Sequence, residues 1–314
     1  MRCPNCKEFE HEPAARFCHV CGALLSNDKY YPHVGEEQPK PNQKIAPNIG
    51  YDKGSSSNSI QVFKVKGVEF KMIRVDGGTF MMGAHGKDDD WVKEYEGSPV
   101  TLDTFWIGET EVTQELWEAV MGNNPSAFKR NTIGGWRNLL HSTYKQRPVE
   151  NVSWEDCQEF IGKLNRLTHQ NFRLPASAEW EYAARGGQQS RGYEYAGSNN
   201  LDEVAWYVDN SGEYGGIYND RELQKLTKNH RQTHPVKQKL PNELGLYDMS
   251  GNVYEWCQET VTRRDDTYGP EDFRHIRVHH ITRGGSFGRG PECCLIVDTL
   301  DGNSNHETGF RLAL

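Results

Sequence analysis

Apolar and polar positions change their pattern near residue 60. Before it, residues 26–60 are polar, interrupted by Pro32, Pro39, Pro41 and Pro47, and close on Gly54-Ser-Ser-Ser-Asn-Ser59, the composition of a flexible linker. After it, alternation begins at once. Val68, Phe70 and Met72 alternate with Glu69 and Lys71, and Lys66-Gly67 separates them from Val62–Val65, which predicts a β-hairpin. Thr101 to Ile107 reads as another strand. The period then lengthens. Thr113 is placed to cap a helix bearing Leu116, Val120 and Met121, stopped by Gly122-Asn-Asn-Pro125. Ser153-Trp-Glu-Asp156 has the form of a capping box with Asp156 in the usual Glu/Gln place. Behind it Trp154, Cys157, Phe160, Ile161, Leu164 and Leu167 fall on one helical face. A third helix is predicted from Ser177 to Arg185, ended by Gly186-Gly187. Beyond Gly187 the chain is rich in Gly, Asn, Asp and Tyr, so irregular backbone pinned by aromatics is expected in an α+β domain over residues 61–314.

Cysteine placement adds a second unit. Cys3, Cys6, Cys18 and Cys21 form two C-x2-C knuckles around an 11-residue spacer, the second followed by Gly22. Two such knuckles complete a tetrahedral shell of four thiolates, so residues 1–25 read as a zinc ribbon with a closed, structural metal site. Two disulfides are the alternative. The start, Met1-Arg-Cys-Pro-Asn-Cys6, has no apolar signal-peptide core, and the reducing compartment this implies disfavours them. A ribbon this short would take its folding energy from the metal. It would serve to dock a protein partner.

Charge and hydropathy narrow the class. A net charge of −8 argues against bulk binding to nucleic acid or anionic membrane. The mean hydropathy of −0.81 agrees with the lack of any apolar run long enough to cross a bilayer, so a cytoplasmic location is expected.

Two familiar active-site motifs are missing: the sequence has no H-E-x-x-H and no Walker loop. Arg283-Gly-Gly-Ser286 lacks the lysine of a phosphate loop and reads as a tight backbone passage. Asp88-Asp-Asp90 reads as a solvated loop rather than a cation site. His279 and His280, as neighbours in a strand, would face opposite ways. Cys293 and Cys294 leave two readings, a reactive thiolate whose pKa Arg289 would lower, or small inert core residues.

A longer series of motifs follows in order: Met72-Ile-Arg-Val-Asp-Gly-Gly-Thr-Phe-Met-Met-Gly83, Glu111-Val-Thr-Gln-Glu-Leu-Trp117, Pro148-Val-Glu-Asn-Val-Ser-Trp154, Arg173-Leu-Pro175 and Glu179-Trp-Glu-Tyr-Ala-Ala-Arg-Gly-Gly187. Pro241-Asn-Glu-Leu-Gly-Leu-Tyr-Asp-Met-Ser-Gly-Asn-Val-Tyr-Glu-Trp256, Arg283-Gly-Gly-Ser286 and Gly309-Phe-Arg-Leu312 complete it. Over about residues 61–314 the chain resembles the formylglycine-generating enzyme, or sulfatase-modifying factor, family. The resemblance implies a C-type-lectin-like fold with a small twisted antiparallel core and long loops. In it, Trp154, Trp180, Tyr182 and Trp256 would pin loops, their polar atoms finding backbone partners. It also places Gly251–Glu255 where family members hold calcium, with Asn252 and Glu255 as hard ligands; an ordinary hydrogen-bonded turn is the other reading.

The chain departs from the family where chemistry is expected. The family's oxidase resembles a copper(I) enzyme with two cysteines, five residues apart, shortly after the Gly-Gly-Ser motif. Counted from Ser286, the second falls on Cys294 and the first on Arg289. A guanidinium offers no lone pair to copper, and a linear copper(I) site needs two soft donors, so copper is not expected. The alternative is an oxidoreductase acting on a protein thiol through Cys294, with Ser286. The segment 287–308, set between two family-like anchors, resembles the end of retroelement-diversified ligand-binding proteins of this fold. Gly288, Arg289, Gly290, Cys293, Leu295, Ile296, Val297 and Asp298 would then form a surface that binds a protein or peptide.

Overall fold

The computed structural model describes residues 51–53, 59–83, 97–129, 143–212, 231–264, 276–296, 300–301 and 305–314. The four ribbon cysteines and Asp88–Asp90 lie outside the described residues, as does most of the linker. Residues 51–314 make up one compact unit.

Its first sheet holds β1 (Tyr51–Lys53), β2 (Ile60–Val65) and β3 (Val68–Val75). The β2–β3 hairpin has the expected register, Val65 opposite Val68. Its turn works because Lys66 (φ 48°) and Gly67 (φ 90°) both take left-handed backbone, the twist a two-residue hairpin needs. Strand β1 corrects the linker boundary: Tyr51–Lys53 pairs with Val65–Phe63 and so belongs to the domain. Next come β4 (Gly78–Met82), β5 (Ser98–Leu102) and β6 (Phe105–Gly108). The strand expected from Thr101 to Ile107 is therefore two. β5 pairs with β4 as a separate ribbon, while β6 joins β3, giving the order β1-β2-β3-β6. The switch falls at Asp103-Thr104, where the Thr104 hydroxyl accepts the Gly77 N–H at 3.1 Å.

Helices α1 (Gln114–Met121), α2 (Trp154–Thr168) and α3 (Ser177–Ala184) lie where the periodicity puts them. Thr113 caps α1 by accepting the Leu116 N–H, and Gly122 ends it at φ 82°. The Ser153–Asp156 capping box forms in both directions, at 3.0 and 2.9 Å. Leu167, in the last turn of α2, is the exception on its apolar face and stays 37% exposed. After α4 (Leu201–Val204) come the short strands β7 (Ala205–Trp206) and β8 (Ser250–Gly251), which pair in parallel. The second sheet has the order β11-β10-β9-β12, from β9 (Tyr254–Arg264), β10 (Ile276–Arg283), β11 (Leu300–Asp301) and β12 (Thr308–Gly309).

Two large apolar cores form among the described residues. One packs α1 and α2 on the first sheet through Phe63, Met72, Trp117, Phe160, Leu164 and Phe310. Removing one such ring, as in Phe160→Ala, costs about 3–5 kcal/mol. The other gathers Val75, Phe105, Ile107, Trp180, Met249, Cys257, Ile281 and Ile296. The indole pins act largely as expected: Trp154 Nε1–H donates to Cys257 O at 3.0 Å and Trp256 Nε1–H to Val152 O at 2.9 Å. The Tyr182 hydroxyl donates to Asp76 O at 3.2 Å. Trp180 differs, donating to the Glu255 carboxylate at 2.7 Å rather than to backbone.

Candidate functional site

The site begins where β10 ends. Arg283 is buried and anchored by the Ser177 hydroxyl at 2.9 and 2.8 Å and by the Glu181 carboxylate at 3.2 Å. Gly284 (φ 95°) and Gly285 (φ 76°) then turn the chain through left-handed backbone. A Cβ on Gly285 would sit 2.5 Å from Cys293 O, so this is the tight backbone passage that its sequence suggested. Gly284 O accepts the Gly251 N–H at 2.6 Å, and the Phe287 N–H donates to Asn252 O at 2.9 Å. The loop is thereby docked on β8 and the turn after it.

Beyond this anchor, Glu307 gathers the polar side chains. Its Oε2 accepts the Ser286 hydroxyl at 3.1 Å and Arg289 Nε–H at 2.8 Å. His306 Nε2 lies 4.0 Å from Glu307 Oε1, and burial holds the imidazole below its ordinary pKa. Arg289 is fixed through its backbone as well: its N–H donates to Ser286 O at 3.2 Å, and its carbonyl accepts Val208 N–H at 3.0 Å. Its side chain is 52% exposed while that of Glu307 is 15% exposed. A 3-10 turn over Pro291–Cys294 follows. Gly288, Gly290, Cys293 and Leu295 are half-buried and reach the surface beside Arg289.

Three of the residues expected at this surface or in its alternative chemistry go inward. Ile296 is buried in the second core against Ile281 and Trp180, which corrects its placement on a binding surface; its apolar side chain completes the packing beside β10. Cys294 is fully buried with Leu201, Ala205 and Tyr207. Burial, with the hydrogen bond to Asp202 adding to it, pushes the Tyr207 phenol up to about 12. Ser286 is buried and committed to Glu307. Val297 and Asp298 lie outside the described residues.

Beneath the loop lies a buried polar layer. Arg311, fully buried, donates to both oxygens of Glu255 at 2.5 Å and to Gly108 O and Tyr247 O at 3.0 Å. Asn252 accepts the His234 N–H at 2.9 Å and donates to the Glu111 carboxylate at 3.0 Å. These are the protein partners of Asn252 and Glu255, the two residues for which the sequence also offers calcium. The guanidinium already supplies the cation for Glu255, and the Asn252 oxygen is occupied by an N–H donor. Among the described residues, no group of three or more His, Cys, Asp or Glu side chains is arranged to hold a metal. Burial, with Asp248 and Glu255 nearby, holds Glu111 well above the usual carboxylate range, and burial raises Asp248 to about 6. His234 stacks on Trp206 with ring centroids 3.8 Å apart, and burial lowers it to about 4.

A separate cleft of about 380 Å³ lies between the β2–β3 hairpin and the start of α1, lined in part by Phe70, Lys71, Glu109, Glu115 and Lys237. Its charges are mostly paired: Lys237 with Glu109 at 3.0 Å, and Glu115 with Lys145 at 3.5 Å and Gln146 at 2.8 Å.

Glu307 and Arg311 were not expected at these roles. Both stand near the Gly309-Phe-Arg-Leu312 motif, but their partners are 18 and 56 residues away in sequence. No local spacing carries that information.

Comparison with known proteins fits this architecture. The chaperone protein LppX of Paenibacillus barcinonensis is 38% identical over 221 residues, covering 60% of this chain and 71% of that protein. The formylglycine-generating enzyme of Thermomonospora curvata is 31% identical over 309 residues, covering 77% of this chain and 92% of the enzyme. Among solved structures, Treponema denticola variable protein 1 superposes with a TM-score of 0.60 at 30% identity, covering 81% of this chain and 98% of that one. The model of the sulfatase-modifying factor enzyme 1-like domain matches residues 59–314. The chain therefore belongs to the sulfatase-modifying factor, or formylglycine-generating-enzyme-like, family.

Proposed function

We propose that this protein is a non-catalytic binding protein, whose C-terminal surface around Gly288, Arg289, Gly290, Cys293 and Leu295 recognises a protein or peptide. One observation carries the reading. Arg289 stands where the family's oxidase has its first sulfur, and Glu307 holds its guanidinium at 2.8 Å. A cation there repels a cuprous ion and supplies no lone pair. The remaining thiol, Cys294, is packed in an apolar cluster rather than presented to a substrate. The names of two relatives, a chaperone protein and a variable protein, accord with a binding role.

The remaining parts of the proposal rest on sequence. Cys3, Cys6, Cys18 and Cys21 would hold a structural zinc, and the ribbon so formed would dock a second protein. Diversification by a retroelement would require a near-identical DNA repeat that differs at template adenines, beside a reverse transcriptase gene. Among the described residues, no helix is long and apolar enough to cross a membrane. The cytoplasm is the proposed compartment, with neither membrane nor nucleic acid as a partner.

A photo-crosslinking residue tests the recognition surface. Placed at Leu295, it should capture a discrete protein in producing cells; placed at Leu167, which is on α2 and more open to solvent, it should not. Equal capture at both positions would remove the proposal.

A further inference from the structure

The Arg289 guanidinium is held by one edge only. Its Nε–H donates to Glu307 Oε2 at 2.8 Å, and among the described residues its two Nη groups have no hydrogen-bond partner. A surface Arg–Glu pair contributes little to stability, typically about 0–1 kcal/mol. What this one does is orient. Glu307 is itself fixed by the Ser286 hydroxyl at 3.1 Å, and its backbone N–H donates to the Asn305 side chain at 2.7 Å. Gly288 lets the carboxylate come this close, since a Cβ there would lie 2.6 Å from Glu307 Oε1. Arg289's own backbone is bonded on both sides, to Ser286 and Val208. A long side chain that would otherwise lose rotamer freedom on binding is thus already placed, which lowers the cost of using it.

The unused Nη edge is a planar pair of N–H donors, the geometry that takes a carboxylate in two parallel hydrogen bonds. We infer that Arg289 is the anchor of a carboxylate-recognising site, and that the ligand of this surface is a peptide presenting a carboxylate to the free guanidinium edge. The inference deepens the recognition reading and rests on it. The carboxylate has two sources, an acidic side chain or a peptide C-terminus, and both offer the same two oxygens. Among the described residues the surface beside Arg289 shows no second open cation: Gly288, Gly290, Cys293 and Leu295 are uncharged, and Glu292 is acidic.

Three synthetic peptides, titrated into the full chain at low salt, test this. The first is acetyl-Glu-Gly-Glu-Gly-Glu-amide, with side-chain carboxylates only. The second is its all-Gln counterpart with a free C-terminal carboxylate, and the third is the all-Gln peptide with both ends blocked. Binding is read by the 15N-detected Nε–H resonance of Arg289 and by affinity. The first or the second peptide should shift that resonance saturably and the third should not, which also names the source. Arg289→Ala should weaken binding about tenfold, the scale of a charge-assisted pair of hydrogen bonds. Arg289→Lys, which keeps the charge but not the fork, should recover only part of the loss. Equal behaviour of all three peptides, or unchanged binding in Arg289→Ala, overturns the assignment. If that happens while crosslinking through Leu295 persists, recognition stands and the carboxylate does not; if both vanish, the surface reading falls with it.

Discussion

Two Arg–Glu pairs stand within one C-terminal stretch and do opposite things. Arg311 and Glu255 are both fully buried, and every oxygen of Glu255 is engaged, by Arg311 and by Trp180 Nε1–H. Arg289 and Glu307 sit at the rim, with the arginine half-exposed and one edge of its fork unused. The chemistry of the groups is identical. Burial separates them: inside, desolvation makes an unpaired charge very costly, so the pair must be complete. At the rim water screens the charges, so a pair can be left incomplete and available to a ligand.

The comparison breaks most visibly at the buried end. Arg311→Ala leaves Glu255 without its cation beside Glu111 and Asp248, and should cost about 3–5 kcal/mol or abolish folding. Urea unfolding measures it; a loss below about 1 kcal/mol would mean that the interior is wetter than described.

A buried carboxyl held by a backbone donor supplies the second contrast. Glu150 accepts the Phe128 N–H at 2.9 Å, and burial raises its pKa from 4.5 to about 8. Below about 4.5 both folded and unfolded forms carry the proton, so the group adds no pH dependence there. Between about 4.5 and 8 the unfolded chain ionises first, so this group lowers stability as pH rises, levelling off above about 8. Glu150→Gln should flatten that decline in a series of unfolding measurements across the window. An unchanged slope would show that Glu150 is ionised in the folded protein.

The rim pair should give the smallest effect on stability. Arg289→Ala is expected to change unfolding free energy by no more than about 1 kcal/mol, while it weakens carboxylate binding. A large loss of stability instead would make Arg289 a structural residue and erase the distinction between the two pairs.

Local order in this fold is largely legible from spacing. The Lys66-Gly67 turn, the Thr113 cap, the Ser153–Asp156 box and the apolar face of α2 each depend on residues a few positions apart. The hydrogen bonds of Trp154 and Trp256 to distant carbonyls also agreed with expectation. What spacing could not supply was any pairing that closes a long loop. Glu307 returns to Arg289 across 18 residues, and Arg311 reaches Glu255 across 56. Thr101 to Ile107 failed for a related reason. No glycine or proline interrupts it, and only the separate partners β4 and β3 divide it into two strands. Ile296 shows the same limit, since an aliphatic residue in a loop has no period from which to read its direction.

The most direct test of the binding account asks whether Cys294 does chemistry. The full chain and its Cys294→Ala variant are titrated with cuprous ion, and oxygen uptake is followed with a cysteine-containing peptide present. The account predicts identical copper uptake by the two proteins and no oxygen consumption by either. One cuprous equivalent lost in the variant, together with oxygen uptake by the parent alone, would contradict it.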